Sequence, residues 1–196
     1  MRVVRTDVTE PATILEAVDC CTHEFGRLDI AVNNAAVNSA RVPFDQTTDE
    51  MYREVMATNV DGVFFAMKHQ ITAMLRNGGG SIINTASIGS FAAVPNMCAY
   101  VTSKHAVLGM TKAAALEYAS RKIRVNAVAP GAVLTEMTLA GSLSTPAGRT
   151  RIEAATPMAR IGLATEIAAA IVWLASDASS FVTGIAMPVD GGYLLP

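Results

Sequence analysis

Cysteine is scarce, and its placement excludes more than its number does. Cys20, Cys21 and Cys98 are an odd count without metal-ligand spacing. Neighbours on a helix point about 100° apart, so Cys20 and Cys21 make a poor disulfide and all three read as reduced packing residues. Charge is sparse too: 16% of residues are charged and the net charge is -2. Arg2, Arg5, Arg27, Arg53, Arg121 and Arg160 are scattered rather than gathered into a stripe that could neutralise phosphates, so no nucleic-acid partner is expected. Long hydrophobic runs are absent. The longest, residues 167–175, is about half a bilayer span, and the opening MRVVRTDV has no apolar signal-peptide core. No membrane role is expected, and the expected location is cytoplasmic. His23, His69 and His105 show no metal spacing, so no metal site is expected.

What is present is a chain of 196 residues, 51% of them hydrophobic, too apolar for disorder and long enough for one compact domain over residues 1–196. Residues 2–8 read as a strand. Thr9 can cap a helix that has Pro11 in its first turn and ends at Gly26. LDIAVNN from Leu28 reads as a second strand, too apolar to be half-exposed. Thr47 and Glu50 stand at capping-box spacing before a long helix reaching about Arg76 and closed by Gly78, Gly79 and Gly80. SIINTAS from Ser81 is a third strand, residues 99–120 a helix, and IRVNAVAP from Ile123 a strand stopped by Pro130 and Gly131. After a less regular stretch, residues 165–175 read as a helix and GIAMPVD from Gly184 as a last strand.

Strands alternating with helices of this length predict an α/β fold, a Rossmann-like doubly wound parallel sheet with right-handed crossovers. Ligands of such sheets bind beyond the carboxyl ends of the strands. The residues to inspect are therefore Asp7, Asn33 and Asn34, Ser87, and Pro130 with Gly131.

Tyr100 and Lys104 lie one helical turn apart on one face, so an ammonium can sit beside a phenol. A free tyrosine has a pKa near ~10 and is a poor base at neutral pH, but a nearby cation favours its phenolate. The pair could take a proton from an alcohol or give one to a carbonyl. Alone it is a weak signal, since any helix can carry it. Ser87 strengthens it, because it ends the preceding strand, where its hydroxyl could polarise the same substrate oxygen.

The segments NNAA (33–36), Asn59 in the long helix, Ser87, YVTSK (100–104) and PGAVLT (130–135) stand in the order and approximate spacing of the short-chain dehydrogenase/reductase family. The chain resembles that family from residue 3 to the closing VDGGY. The resemblance implies an oxidoreductase moving hydride between NAD or NADP and a small, apolar secondary alcohol or ketone. Tyr100 would be the general acid/base. Lys104 would lower its pKa and hold the nicotinamide ribose, Ser87 would orient the substrate oxygen, and Asn59 would anchor a water relaying protons to Lys104. Read without the resemblance, Asn59 is a buried helix polar group satisfied by backbone.

The resemblance also implies cofactor contacts. Asp7, followed by Val8, resembles the aspartate that meets adenine, and is equally placed to cap the next helix. Asn33 and the small Ala35 would let backbone approach the cofactor near the adenine ribose, with Tyr100 and Lys104 at the other ribose. Pro130, Gly131, Val133 and Thr135 resemble the segment that binds the carboxamide, and Thr135 is equally placed to cap a short lid helix. Ala36 departs from the family's usual glycine.

The larger departure is at the start, where the family's first two strands and TGxxxGxG loop are missing, so the chain reads as N-terminally shortened and the choice between NAD and NADP is unreadable. Two function readings stay open: an active NAD(P)-dependent enzyme, or an inactive interaction protein that has lost cofactor binding. If residues 2–8 take the family's third-strand place, two empty strand positions separate them from the strand at Leu28. The chain alone is then expected to bind cofactor poorly. Phe91, Met97, Met137 and Leu139, in the segments flanking the expected pocket, suggest an apolar substrate. A homodimer or homotetramer is expected through the helices beginning near Thr48 and Ala99, the second being apolar on more than one face.

Overall fold

The computed structural model describes residues 1–38 and 40–195. Its elements run α1 (Pro11–Phe25), β1 (Ile30–Asn33), α2 (Asp49–Met56), α3 (Gly62–Asn77), β2 (Gly80–Thr85) and α4 (Cys98–Tyr118). They continue with β3 (Ile123–Pro130), β4 (Val133–Leu134), α5 (Glu136–Ala140), α6 (Pro146–Ala155), β5 (Gly162–Leu163), α7 (Ala164–Ala175) and β6 (Ala186–Val189). The main sheet has the order β1-β2-β3-β6 and is parallel throughout, as the alternation predicts. A second, two-stranded parallel pair, β4 with β5, lies in the stretch that reads as irregular in sequence.

Residues 2–8 form no strand. A strand exists by pairing its backbone, and no described strand offers them a partner. They run instead along the helices: Arg2 pairs with Glu24 of α1 at 2.8 Å. A Cβ at Gly62 would meet Val8 at 3.0 Å, tighter than ordinary contact, so glycine eases the close approach of α3 to Val8. Thr9 does not cap α1. The cap position is Glu10, without a side-chain bond, and the helix closes at Gly26 in the left-handed conformation.

The capping signal at Thr47 lies one residue early. Thr48 is the cap, accepting from Met51 N at 3.3 Å, while Thr47 Oγ1 meets Cys98 Sγ at 3.2 Å. The long helix is broken by a π-helical turn, Ala57–Asp61, between α2 and α3, and Asn59 sits fully buried in that turn.

One face of the sheet is packed by α1, α3 and α4, around Val63, Met67, Met74, Ile82, Val107 and Val125. Among the described residues the other is covered by α7, with Val182, over Ile83 and Val128. Consequently β1, which reads as too apolar to be half-exposed, is half-exposed: Ala31 is buried, whereas Ile30 and Val32 are 49% and 43% exposed. Arg124 of β3 joins α7 to the sheet by donating to Leu174 O at 2.8 Å and Ser176 O at 3.1 Å, cationic caps on the negative end of the helix.

Candidate active site

The carboxyl ends of β1, β2 and β3 open on one side of the sheet, and the chain beyond each of them lines a cavity of about 600 Å³. Ten sequence-predicted residues meet there: Asn34 and Ala35 after β1, Ser87 after β2, Tyr100 and Lys104 on α4, Pro130, Gly131, Val133 and Thr135 around the end of β3, and Met137 on α5. Val8, Asn33 and Ala35 line a smaller cavity of about 110 Å³. Asn34 and Ala35 line both, so the two adjoin at the end of β1. Asp7 and Asn59 line neither.

Lys104 is 3% exposed. Its Nζ donates to the main-chain carbonyl of Thr85 at 2.8 Å and lies 5.7 Å from the centroid of the Tyr100 ring. Burial, with no carboxylate to offset it, pushes its pKa down to about 8. The Tyr100 phenol is pushed above its ordinary value, chiefly because burial disfavours the phenolate, with the Ser87 hydroxyl pulling the other way. The phenolate that the Tyr-Lys spacing suggests is therefore not the resting form: desolvation outweighs the hydrogen bond from Ser87. Ser87 Oγ accepts from Gly89 N at 3.1 Å, which leaves its own proton to point elsewhere.

Asn59 works through others. Its Oδ1 accepts from Val37 N at 2.8 Å, and its Nδ2 donates to Val37 O at 3.0 Å and Ser103 Oγ at 3.1 Å. The reading of Asn59 as a buried amide satisfied by backbone is thus met in geometry, and both of its side-chain donors are taken. Thr135 likewise takes the capping alternative: it caps α5, accepting from Thr138 N at 3.4 Å. Asp7 is exposed and caps no helix. Its carboxylate accepts from Thr9 N at 2.9 Å and Thr9 Oγ1 at 2.7 Å, which holds its pKa below the usual carboxylate value.

Asn33 turns its amide away from the small cavity into the core. It pairs with Gln70 in both directions, at 2.7 and 3.1 Å, and donates to Asn84 Oδ1 at 2.9 Å, while Asn84 donates to Thr111 Oγ1 at 3.0 Å. Only backbone is left at Asn33 to approach a ligand. Thr85 and Ser103, which contact Lys104 and Asn59, are absent from the sequence-based candidates, because a main-chain acceptor and a lone serine carry no pattern. Among the described residues no group of His, Cys, Asp and Glu could hold a metal, and no helix is long and apolar enough to cross a membrane.

A family profile described as enoyl-(acyl carrier protein) reductase matches residues 1–194. A short chain dehydrogenase/reductase of Aspergillus oryzae is 37% identical over 194 residues, covering 98% of this chain and 74% of that protein. The chain belongs to the short-chain dehydrogenase/reductase family. An A-factor type gamma-butyrolactone 1'-reductase (1S-forming) of Streptomyces virginiae is 44% identical over 193 residues, 98% of this chain and 75% of the relative. The fold agrees. A gluconate 5-dehydrogenase from Burkholderia cenocepacia, solved in complex with NADP and tartrate, superposes with a TM-score of 0.90 at 35% identity, over 95% of this chain and 72% of that one. The protein is accordingly an oxidoreductase of CH-OH groups, with a nicotinamide dinucleotide, NAD or NADP, as its cofactor.

Proposed function

We propose that Tyr100, Ser87 and Lys104 carry out the proton side of hydride exchange between NAD or NADP and a small secondary alcohol or ketone. The observation that carries this reading is their convergence, from the end of β2 and one face of α4, on a single cavity walled by Pro130, Gly131 and Val133. The walls contributed by Met137, Ile167 and Ile171 suit an apolar substrate. The names of the butyrolactone reductase and gluconate dehydrogenase relatives support a carbinol or carbonyl as the reacting group.

The residues present fit the cofactor at both ends. An ammonium has three donors, and Lys104 spends one on Thr85, which leaves two for ribose hydroxyls. The narrow cavity beside Val8 and Ala35 suits a flat ring such as adenine, with the Asn33 backbone near its ribose and Asp7 next in the chain to Val8. Pro130, Gly131, Val133 and the backbone of Thr135 would hold the carboxamide. When bound, the nicotinamide donates or accepts the hydride. In reduction the substrate oxygen takes its proton from the Tyr100 hydroxyl, while Ser87 donates a hydrogen bond to the same oxygen and polarises the carbonyl. Because burial keeps the phenol protonated, the resting site is poised to donate. Asn59 acts as a positioning residue through Val37 and Ser103, so a relay water would be anchored by its main chain.

The chain would work as a homodimer or homotetramer through α3 and α4, which flank a groove lined by Phe64, Met67, Ile71 and Met110, with Leu116 exposed elsewhere on α4. The cytoplasm suits its three unpaired thiols. Tyr100→Phe tests the chemistry: turnover should fall by more than about a hundredfold while cofactor affinity holds, whereas Lys104→Ala should damage both. Turnover of Tyr100→Phe within about tenfold of wild type would exclude the assignment.

A further inference from the structure

A buried ammonium is ordinarily held by a carboxylate, because an unpaired charge in an apolar interior is expensive. Lys104 is held otherwise. Tyr100 is the one other titratable side chain among the residues lining its cavity, and α5, α7 and the strand ends contribute no acidic group to it. From the turn after β2, Ser90 Oγ donates to the Lys104 main-chain carbonyl at 2.8 Å and adds no charge. The ammonium rests on one main-chain carbonyl, that of Thr85. A carbonyl holds the side chain without neutralising it, so the positive charge stays available to the cavity.

The aim of that carbonyl therefore matters. Thr85 is the last residue of β2. Towards β3 it is paired with Val128, and Ala86 N donates to Val128 O at 2.8 Å. Towards β1 the ladder has already ended, since its final pair is Asn33 with Asn84. Beyond that pair a side-chain bond replaces the missing backbone one: Thr85 Oγ1 donates to Asn34 Oδ1 at 3.0 Å.

We propose that the Asn34–Thr85 bond is a positioning device for Lys104, fixing the end of β2 so that the Thr85 carbonyl holds the ammonium beside Tyr100 with its other two N–H groups free. Without the bond, the Thr85 peptide is tethered on one side only and can turn its carbonyl off the ammonium. Thr85 and Asn34 are positioning residues here. The purpose of the device rests on the proposed function, but its existence does not, and the test separates the two.

The test is an NMR titration of the 13Cε resonance of Lys104 in the chain and its variants. The hydrogen bond to Thr85 favours the charged form, so loosening it disfavours that form further. In wild type the midpoint should lie at about 8. In Thr85→Val, which removes the hydroxyl and keeps the shape, it should fall by about one unit, a tenfold change in the protonation equilibrium. Asn34→Ala, which approaches the same bond from β1, should reproduce that fall, and Thr85→Ser should restore the wild-type value. Wild-type titration in Thr85→Val and Asn34→Ala, or a Thr85→Ser midpoint displaced as far as that of Thr85→Val, would overturn the proposal. The alkaline limb of kcat should move with the midpoint. Absence of any NAD(P)-dependent turnover in wild type, with the titration behaving as described, would leave the positioning device standing and remove the proposed function.

Discussion

Asn59 Nδ2 donates to Ser103 Oγ across 3.1 Å, and Ser103 Oγ passes the connection on to the main-chain carbonyl of Tyr100 at 2.7 Å. The same amide closes both a donor and an acceptor bond with Val37, at 2.8 and 3.0 Å. One side chain in a π-helical turn thus pins the loop after β1 to the first turn of α4. Asn59→Ala strands the Val37 N–H and C=O, and leaving such groups unpaired costs roughly 1–3 kcal/mol. Asn59→Asp retains the Val37 N–H bond but sets a buried carboxylate oxygen against the Val37 carbonyl and should lose at least as much. Urea denaturation of the two variants checks the order; an Asn59→Ala midpoint equal to wild type would show that the loop does not depend on this amide.

The depressed pKa of Lys104 makes stability depend on pH. In the folded chain the ammonium loses its proton near pH 8, and in the unfolded chain it does so near its ordinary value of 10.5. Between those values the unfolded state binds more protons, so stability rises with pH across that window, by an amount of order 3 kcal/mol if the whole shift is expressed. Below pH 8 both states are charged and the contribution of this residue is flat. Tyr100 works in the opposite sense above its ordinary pKa of 10.0, because the folded state then keeps a proton that the unfolded state has lost. The expected outcome is a denaturation midpoint that climbs from pH 7.5 to about 9.5 in wild type and does not in Lys104→Met. Parallel profiles for the two proteins would assign the slope to other groups.

Leu116 is 86% exposed on α4, and Phe64 is 52% exposed on α3, next to a groove of about 330 Å³. Large apolar side chains left exposed on α3 and α4 favour self-association. Sedimentation equilibrium at micromolar concentration should report a dimer or tetramer, and Phe64→Asp together with Leu116→Asp should shift it towards monomer. A wild-type monomer would rule out this interface for the chain as given.

α1, α4, α7 and the four strands of the main sheet were legible because each rests on residues close together in the chain, whereas α6 lies in the stretch that reads as irregular. Pro11 and Gly26 bracket α1, Gly78 closes α3, and the run from Ile123 to Pro130 is β3 residue for residue. The pairing of Tyr100 with Lys104 was legible for the same reason: a separation of four on a helix is a spatial fact before any folding is known. Ser87 could be placed as well, since strand ends converge in a parallel sheet whatever the side chains are.

What the tertiary structure alone decided are the relations between residues far apart in sequence. Residues 2–8 have the composition of a strand and lack a neighbour to pair with, so strand propensity yields no strand there. The polar ladder of Asn33, Gln70, Asn84 and Thr111 unites four segments, and nothing in any one of them marks it. The acceptor for Lys104 is a main-chain oxygen nineteen residues away, invisible to a reading of side-chain types. The direction of the Tyr100 shift belongs here too. Sequence supplies a cation that could favour the phenolate, but only packing sets how much water is excluded, and that desolvation decides the direction of the shift against the hydrogen bond from Ser87.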